Sequence, residues 1–391
     1  MRRYIINILI MIILLYSIPT LNVDAANKPD DNELYSISAA LIDGDTGRIL
    51  YEKNGFDIRA MASTTKIMTL ILALEYGNLE DMVTVSDYAS RMPDVQLNIK
   101  AGEQYRLEDL LYSLILESHN DTAVAVAEHI GGDVEGFANM MNKKAREIGL
   151  SNTYFITPNG LDASDENGTH STTAVELALL MKYCVVESPA KEDFVRICQT
   201  RSHSFSDYTG KRVFSVNNKN SFLDMMEGVI AGKTGFTGDA GYCYVAALER
   251  NGKTYVIALL GCGWPNNKNY KWSDSKKLFN YGIDNYEYSI VMDETYELSP
   301  IPVINGVSND YLDVYIKDEI GLILCEDDIV TYKVSLPDKV YAPIEEGDIQ
   351  GNIYIYVNEE LYTSINIYSG EKILEKDFWY CLRFSLFSFI K

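Results

Sequence analysis

Residues 61–77 read "MASTTKIMTLILALEYG", an apolar helical run with a hydroxyl, Ser63, at its mouth and an amine, Lys66, three residues on. Such a pair is either a cap and a surface charge or a nucleophile and its base. Residues three apart share a helical face, so Lys66 can reach the Ser63 hydroxyl. A helix N-terminus carries about half a positive charge, and burial against "IMTLILAL" disfavours an ammonium further. Both effects push Lys66 toward the neutral amine that a general base must be.

The spacing alone decides nothing, because S-x-x-K occurs five times, beginning at Ser63, Ser188, Ser273, Ser369 and Ser388. Only Ser63 opens a strongly apolar helix. Ser188 precedes Pro189 in a loop, Ser273 lies in a charged helical run, Ser369 ends a strand, and Ser388 belongs to the tail. Two further motifs carry chemistry. Ser118-His119-Asn120 interrupts the helical runs "LEDLLYSLILE" and "DTAVAVAEHI". Helix ends are where polar side chains project without competing with helix bonds. A hydroxyl there can relay a proton, and an amide can orient a substrate and Lys66. An ordinary N-cap at Asn120 or Asp121 is the plainer alternative. Lys233-Thr234-Gly235, the single K-T-G, is read as opening the first strand of a hairpin region, 233–262. A strand edge offers backbone groups to an extended peptide. Lys233 and Thr234 suit a carboxylate, and Gly235 removes a Cβ where a ligand must pass.

Working outward, residues 35–53 alternate on both sides of "DGDTG" and read as a β-hairpin. Three helical runs fill Leu107 to Ile148. "TYFITPNGLD" reads as a short strand with a turn, and "STTAVELALLMKYCVV" as a helix N-capped by Ser171 or Thr172. "AGYCYVAALE" and "KTYVIALLGC" are strands joined at Asn251-Gly252, and "SDSKKLFNYGIDNY" is a last helix. Strands at both ends of a helical middle predict an α+β fold, an antiparallel sheet with helices packed on it, over residues 26–287. Residues 288–371 alternate polar and apolar between turn residues, which predicts a small all-β domain.

The ends point to a membrane. Residues 1–25 carry Arg2 and Arg3, an uncharged apolar core from Ile5 to Leu15 and a small-residue site ending at Ala25, the layout of a signal peptide. The tail, 372–391, holds "DFWYCLRFSLFSFIK", with Phe378, Leu382, Leu386 and Phe389 on one helical face. It is too short to span a bilayer but suited to lie on one as an amphipathic anchor.

A hydrophobic content of 47% argues for a globular chain, and a net charge of −22 argues against nucleic acid, whose phosphates need a basic face. The six cysteines form no C-x-x-C, and the four histidines form no H-E-x-x-H, so neither metal nor cofactor is expected.

Taken in order, S-x-x-K, S-x-N and K-T-G resemble the active-site serine penicillin-interacting enzymes. The flanks "MASTTKIMT", "ESHNDTAVAVAEHIGG", "TPNGLD" and "AGKTGFTGDAGYCYVAAL" are similar to the low-molecular-mass D-alanyl-D-alanine carboxypeptidases. "APIEEGDIQGNIYIYV" resembles their C-terminal β-domain. The resemblance implies a β-lactamase/DD-peptidase-like catalytic fold and a cofactor-free enzyme. It would cleave the terminal D-alanine from peptidoglycan stem pentapeptides outside the cytoplasmic membrane and be acylated by β-lactams. It also implies roles: Ser63 as nucleophile, Lys66 as base, Ser118 and Asn120 completing the proton and substrate network, and Lys233 and Thr234 binding the terminal carboxylate. The backbone N–H groups of Ser63 and of Phe236, the residue after Gly235, would form the oxyanion hole.

Three positions depart from the pattern or leave it open. His119 replaces a small residue. Lys271 stands where the family often has arginine, and Lys219 is a second candidate cation. A penicillin-binding sensor that acylates without turnover is one alternative reading. A class A β-lactamase is another, but its deacylating glutamate motif is missing, since Glu166 leads into "ENGTHS".

Overall fold

The computed structural model describes residues 28–307 and 309–388. The expected signal peptide therefore lies outside the described residues, as does Phe389.

A five-stranded sheet forms the centre. β1 (Ser38–Asp43) and β2 (Ile49–Lys53) make the first hairpin. β3 (Val229–Thr237), β4 (Gly241–Arg250) and β5 (Lys253–Leu260) come from the far end of the same region. The order is β2-β1-β5-β4-β3 and every neighbouring pair is antiparallel. Ser38 pairs with Leu260, and Lys233 with Val245.

β1 is buried along its whole length because the sheet is covered on both faces. The period of two divides its side chains. Ala40 and Ile42 join Val245, Ala247, Val256 and Ala258 in the large core shared with the helical layer. Ala39 and Leu41 join Tyr244, Leu248, Ile257 and Leu259 on the opposite face. There Leu278 and Phe279 of the helix Tyr270–Asn285 close the second core.

The helical layer is built from α1 (Lys66–Tyr76), α2 (Leu107–Leu116), α3 (Asn120–Gly131), α4 (Val134–Ile148) and α5 (Ala174–Lys182). In α1, Ile67, Met68, Leu70, Ile71, Leu72 and Ala73 are fully buried, so this helix runs through the core. The antiparallel sheet and its helices agree with the α+β expectation.

Three local readings are corrected. "TYFITPNGLD" is not a strand: its one ladder contact is the bridge Tyr154–Ser171. Side chains take the next two backbone donors, Asn142 Oδ1 accepting from Phe155 N–H at 2.8 Å and His170 Nδ1 from Ile156 N–H at 2.9 Å. The N-cap of α5 is Thr173, whose hydroxyl accepts from Glu176 N–H at 3.1 Å. Ser171 and Thr172 are taken by bridges to Tyr154 and Arg59 and stay extended. Lys233 lies in the middle of β3 rather than at its start.

The C-terminal part is all β. A four-stranded sheet runs in the order Val314–Tyr315, Glu360–Ser369, Ile349–Val357, Val330–Ser335, over a core of Ile316, Ile353, Ile355, Ile365 and Ile367. A smaller sheet of Tyr311–Leu312, Ile301–Ile304 and Val340–Tyr341 has its own cluster around Leu312 and Ile373. Arg48, beside β2, ties the two parts together through the Asp328 carboxylate and the Ile323 carbonyl, the latter at 2.8 Å.

The chain then enters the helix Phe378–Ser388, whose Phe378 and Trp379 are 71% and 64% exposed. Among the described residues no helix is long and apolar enough to cross a membrane.

Candidate active site

The turn that carries Ser63 is a 3₁₀ turn, Ala62–Thr65, running directly into α1 at Lys66. With three residues per turn, side chains at i and i+3 eclipse, which stacks Lys66 on Ser63. Entry into the turn needs a left-handed Ala62, φ +49°, conformational strain of the kind found at functional sites. Gly160 packs so closely on this turn that a Cβ there would stand 2.0 Å from the Ala62 carbonyl oxygen.

Lys66 is fully buried. Its Nζ lies 2.9 Å from Ser63 Oγ, 2.9 Å from Asn120 Oδ1 and 2.6 Å from the Asn159 carbonyl oxygen. Ser63 Oγ is itself 3.3 Å from that carbonyl. Burial first, and the charge of Lys233 second, hold the Lys66 amine well below its ordinary pKa, against a weaker pull from Asp121. The neutral amine is the form that accepts a proton.

Asn120 is the first residue of α3 and points its oxygen at Lys66 because its amide nitrogen is spent on the Pro93 and Asp94 carbonyls, each at 3.1 Å. Asp121 clamps the neighbouring loop by accepting from the N–H groups of Leu97, Asn98 and Ile99. Ser118 sits in the break between α2 and α3 at φ +69°. Its hydroxyl accepts from Lys233 Nζ at 2.8 Å, so it faces the K-T-G segment.

Lys233 is 3% exposed and also donates to the Thr234 carbonyl at 2.8 Å. Burial pushes its pKa down to about 7. Gly235 passes against the nucleophile turn, and a Cβ there would lie 2.9 Å from the Ser63 nitrogen. Phe236 follows, 42% exposed, its ring 4.7 Å from that of Tyr242. Among the described residues β3 forms an edge of the sheet, with β4 as its one paired neighbour.

These segments border one cleft of about 640 Å³, lined by Ser63, Ser118, Lys233, Thr234, Gly235 and Phe236 among others. Lys66 and Asn120 lie beneath its floor. Four lysines, Lys219, Lys233, Lys268 and Lys271, line it against two acids, Asp94 and Glu117. A chain with a net charge of −22 has thus gathered positive charge in its cleft. Lys271 lies over the rings of Tyr242 and Trp272, at 4.8 and 4.5 Å, and burial lowers its pKa to about 8. Lys219 is 3.4 Å from Glu117.

His119 turns away from the cleft, its Nδ1 2.8 Å from Ser113 Oγ, and burial lowers its pKa. Of the other S-x-x-K serines, Ser188 donates to Glu75 and Ser369 to the Glu345 carbonyl, both structural bonds. Glu166 is exposed on the turn between Ser164–Asp165 and Gly168–Thr169 and does not line the cleft.

Two groups that bond to the Ser63–Lys66 turn lay outside the sequence reading. The Asn159 carbonyl is a backbone group with no side-chain signature; the Asn-Gly pair in "TPNGLD" marked only its turn. The other is His170, whose Nε2 lies 2.8 Å from Thr65 Oγ1.

Comparisons with known proteins place the chain as a whole. Residues 23–262 match the profile of peptidase family S11, D-alanyl-D-alanine carboxypeptidase. The chain is 29% identical over 387 residues to the D-alanyl-D-alanine carboxypeptidase DacF of Bacillus subtilis, covering 97% of this chain and 96% of that one. Penicillin binding protein 5 from Haemophilus influenzae superposes with a TM-score of 0.71 at 26% identity, over 89% of this chain and 99% of that one. The carboxypeptidase DacD from Francisella tularensis, at 23% identity and a TM-score of 0.67 over 90% of this chain and 97% of its own, shares the fold. A buried amine on a serine, in a lysine-lined cleft at a sheet edge, therefore stands in a known lineage: the chain belongs to the D-alanyl-D-alanine carboxypeptidase family of serine peptidases, S11.

Proposed function

We propose that the protein removes the terminal D-alanine from peptidoglycan stem peptides through a Ser63 acyl-enzyme. The observation that carries this is the buried amine of Lys66, 2.9 Å from Ser63 Oγ and held below its ordinary pKa. Lys66 takes the hydroxyl proton as Ser63 Oγ attacks the carbonyl of the penultimate D-alanine. The oxyanion that forms is held by the backbone N–H groups of Ser63 and Phe236. Donors aimed at developing charge are commonly the largest electrostatic contribution to acyl transfer.

The C–N bond then breaks. The proton reaches the leaving D-alanine nitrogen through Lys66 or the Ser118 hydroxyl, and water later hydrolyses the Ser63 ester. Lys233 and Thr234 hold the substrate's terminal carboxylate, Gly235 lets the peptide lie along β3, and Asn120 orients both Lys66 and the substrate amide. Lys271 and Lys219 add positive charge. β-Lactams, whose ring amide mimics the scissile bond, acylate the same oxygen.

The remaining parts suit work outside the cytoplasmic membrane. Residues 1–25 direct export, 26–287 form the catalytic domain, 288–371 a β-rich spacer, and 372–391 an amphipathic membrane anchor. The exposed Phe378 and Trp379 support that last role.

The test is incubation of the purified protein with diacetyl-Lys-D-Ala-D-Ala. Turnover releasing free D-alanine, abolished in Ser63→Ala, is the expected result. A stable acyl adduct without turnover would mark a sensor, and rapid penicillin hydrolysis a β-lactamase.

A further inference from the structure

His170 is 1% exposed and lies outside the three motifs, behind the nucleophile turn. Its Nδ1 receives the Ile156 N–H at 2.9 Å, so that nitrogen is bare and Nε2 carries the proton. Nε2 then donates to Thr65 Oγ1 at 2.8 Å, and Thr65 passes its own hydrogen to the Ala62 carbonyl at 2.8 Å. The chain of bonds runs in one direction only, and it closes with a neutral imidazole.

Its two ends lie on the two segments that meet at the Lys66 amine. Ala62 and Thr65 belong to the turn that presents Ser63 and launches Lys66. Ile156 begins the short segment that ends at Asn159, whose carbonyl accepts from Lys66 at 2.6 Å. That segment has no ladder partner; the bond from Thr69 Oγ1 to the Pro158 carbonyl, 2.6 Å, is its other tie to α1.

We propose that His170 is a positioning residue of this active site, a strut that fixes the Ser63–Lys66 turn against the Asn159 carbonyl. Acting through Thr65, it sets the geometry in which the Lys66 amine meets the Ser63 hydroxyl. Burial alone lowers the imidazole pKa to about 4, so the strut keeps its single direction at neutral pH. The inference rests on Ser63 and Lys66 as the reacting pair.

The test compares acylation of the full protein by a fluorescent penicillin in single turnover, alongside kcat and KM for diacetyl-Lys-D-Ala-D-Ala. His170→Phe removes both bonds and keeps a ring; Thr65→Val removes the hydroxyl and keeps the shape; Thr65→Ser restores it. His170→Phe and Thr65→Val should each slow acylation by ~10–100-fold, the scale of a sub-ångström to ångström misplacement. Affinity for the non-covalent penicillin complex, read from the concentration dependence of the single-turnover rate, should stay within about twofold, because the carboxylate-binding groups are untouched.

Thr65→Ser should recover the wild-type rate, and the double variant should be no slower than His170→Phe alone. Acylation within about threefold of wild type in both single variants, additive losses in the double, or a loss confined to the affinity of the non-covalent penicillin complex would overturn the proposal. If His170→Phe loses its cooperative melting, the Thr65 pair decides. Wild-type protein that takes up penicillin but releases no D-alanine would sink the carboxypeptidase reading and leave this comparison intact.

Discussion

At the level of single residues, the site depends on where charge is absent. Lys66→Arg keeps a cation of similar length but one that does not deprotonate in proteins. Loss of a general base costs ~10²–10⁴-fold, so acylation of Lys66→Arg by penicillin should fall by that order with the fold intact by circular dichroism. The wild-type rate should rise with pH through the depressed pKa of Lys66 and fall again as Lys233, pushed down to about 7 by burial, loses the proton proposed to bind a carboxylate. A bell-shaped kcat/KM profile is the expected outcome, with its alkaline limb flattened in Lys233→Arg.

The same lysine bears on stability. Its folded pKa lies below its unfolded one, so the unfolded chain binds more protons between about pH 7 and the ordinary lysine range, and stability rises with pH across that window. Lys233→Met should therefore be more stable than wild type at pH 7, and the gap in urea midpoint should close toward pH 10. The serine, the amine and the two other motifs were legible because their chemistry sits in side chains at fixed spacings. Asn159 was not, because it acts through its backbone, and His170 was not, because a histidine 104 residues from Lys66 carries no spacing signal.

At the level of elements, turns and caps position the chemistry. Gly235→Ala would bring a methyl to 2.9 Å of the Ser63 nitrogen, against backbone that has no room to retreat. It should slow acylation by about 100-fold, the cost of displacing a reacting group by an ångström. Thr173→Ala removes the α5 cap and should cost about 1 kcal/mol in denaturant unfolding without changing kcat/KM. Helices and paired strands were readable because their apolar periods persist over many residues. The segment 153–162 misled the reading because its alternation is local, while its hydrogen-bond partners, Asn142 and His170, are remote side chains. Lys233 was read as opening a strand that in fact starts at Val229. The preceding Val229 to Gly232 carry too few polar residues to show where pairing begins.

At the level of the whole molecule, three stretches far apart in sequence meet because the sheet is closed by strands from both ends of the region. Arg48→Ala would remove the bond between the central sheet and the Asp328 carboxylate. It should leave D-alanine release unchanged in solution while making the Cys325–Asp328 turn more accessible to protease. Removal of 378–391 should abolish flotation with anionic lipid vesicles and likewise spare activity, if the terminal helix is an anchor.

The lysines gathered in the cleft of an otherwise acidic chain have one more consequence. A peptide anion approaching from afar meets repulsion, and it meets attraction only within about one Debye length, roughly 8 Å at physiological ionic strength. Added salt therefore weakens the obstacle more than the welcome. Capture of a soluble anionic peptide should quicken, not slow, on going from dilute buffer to physiological salt, the reverse of an enzyme that steers its substrate in from a distance.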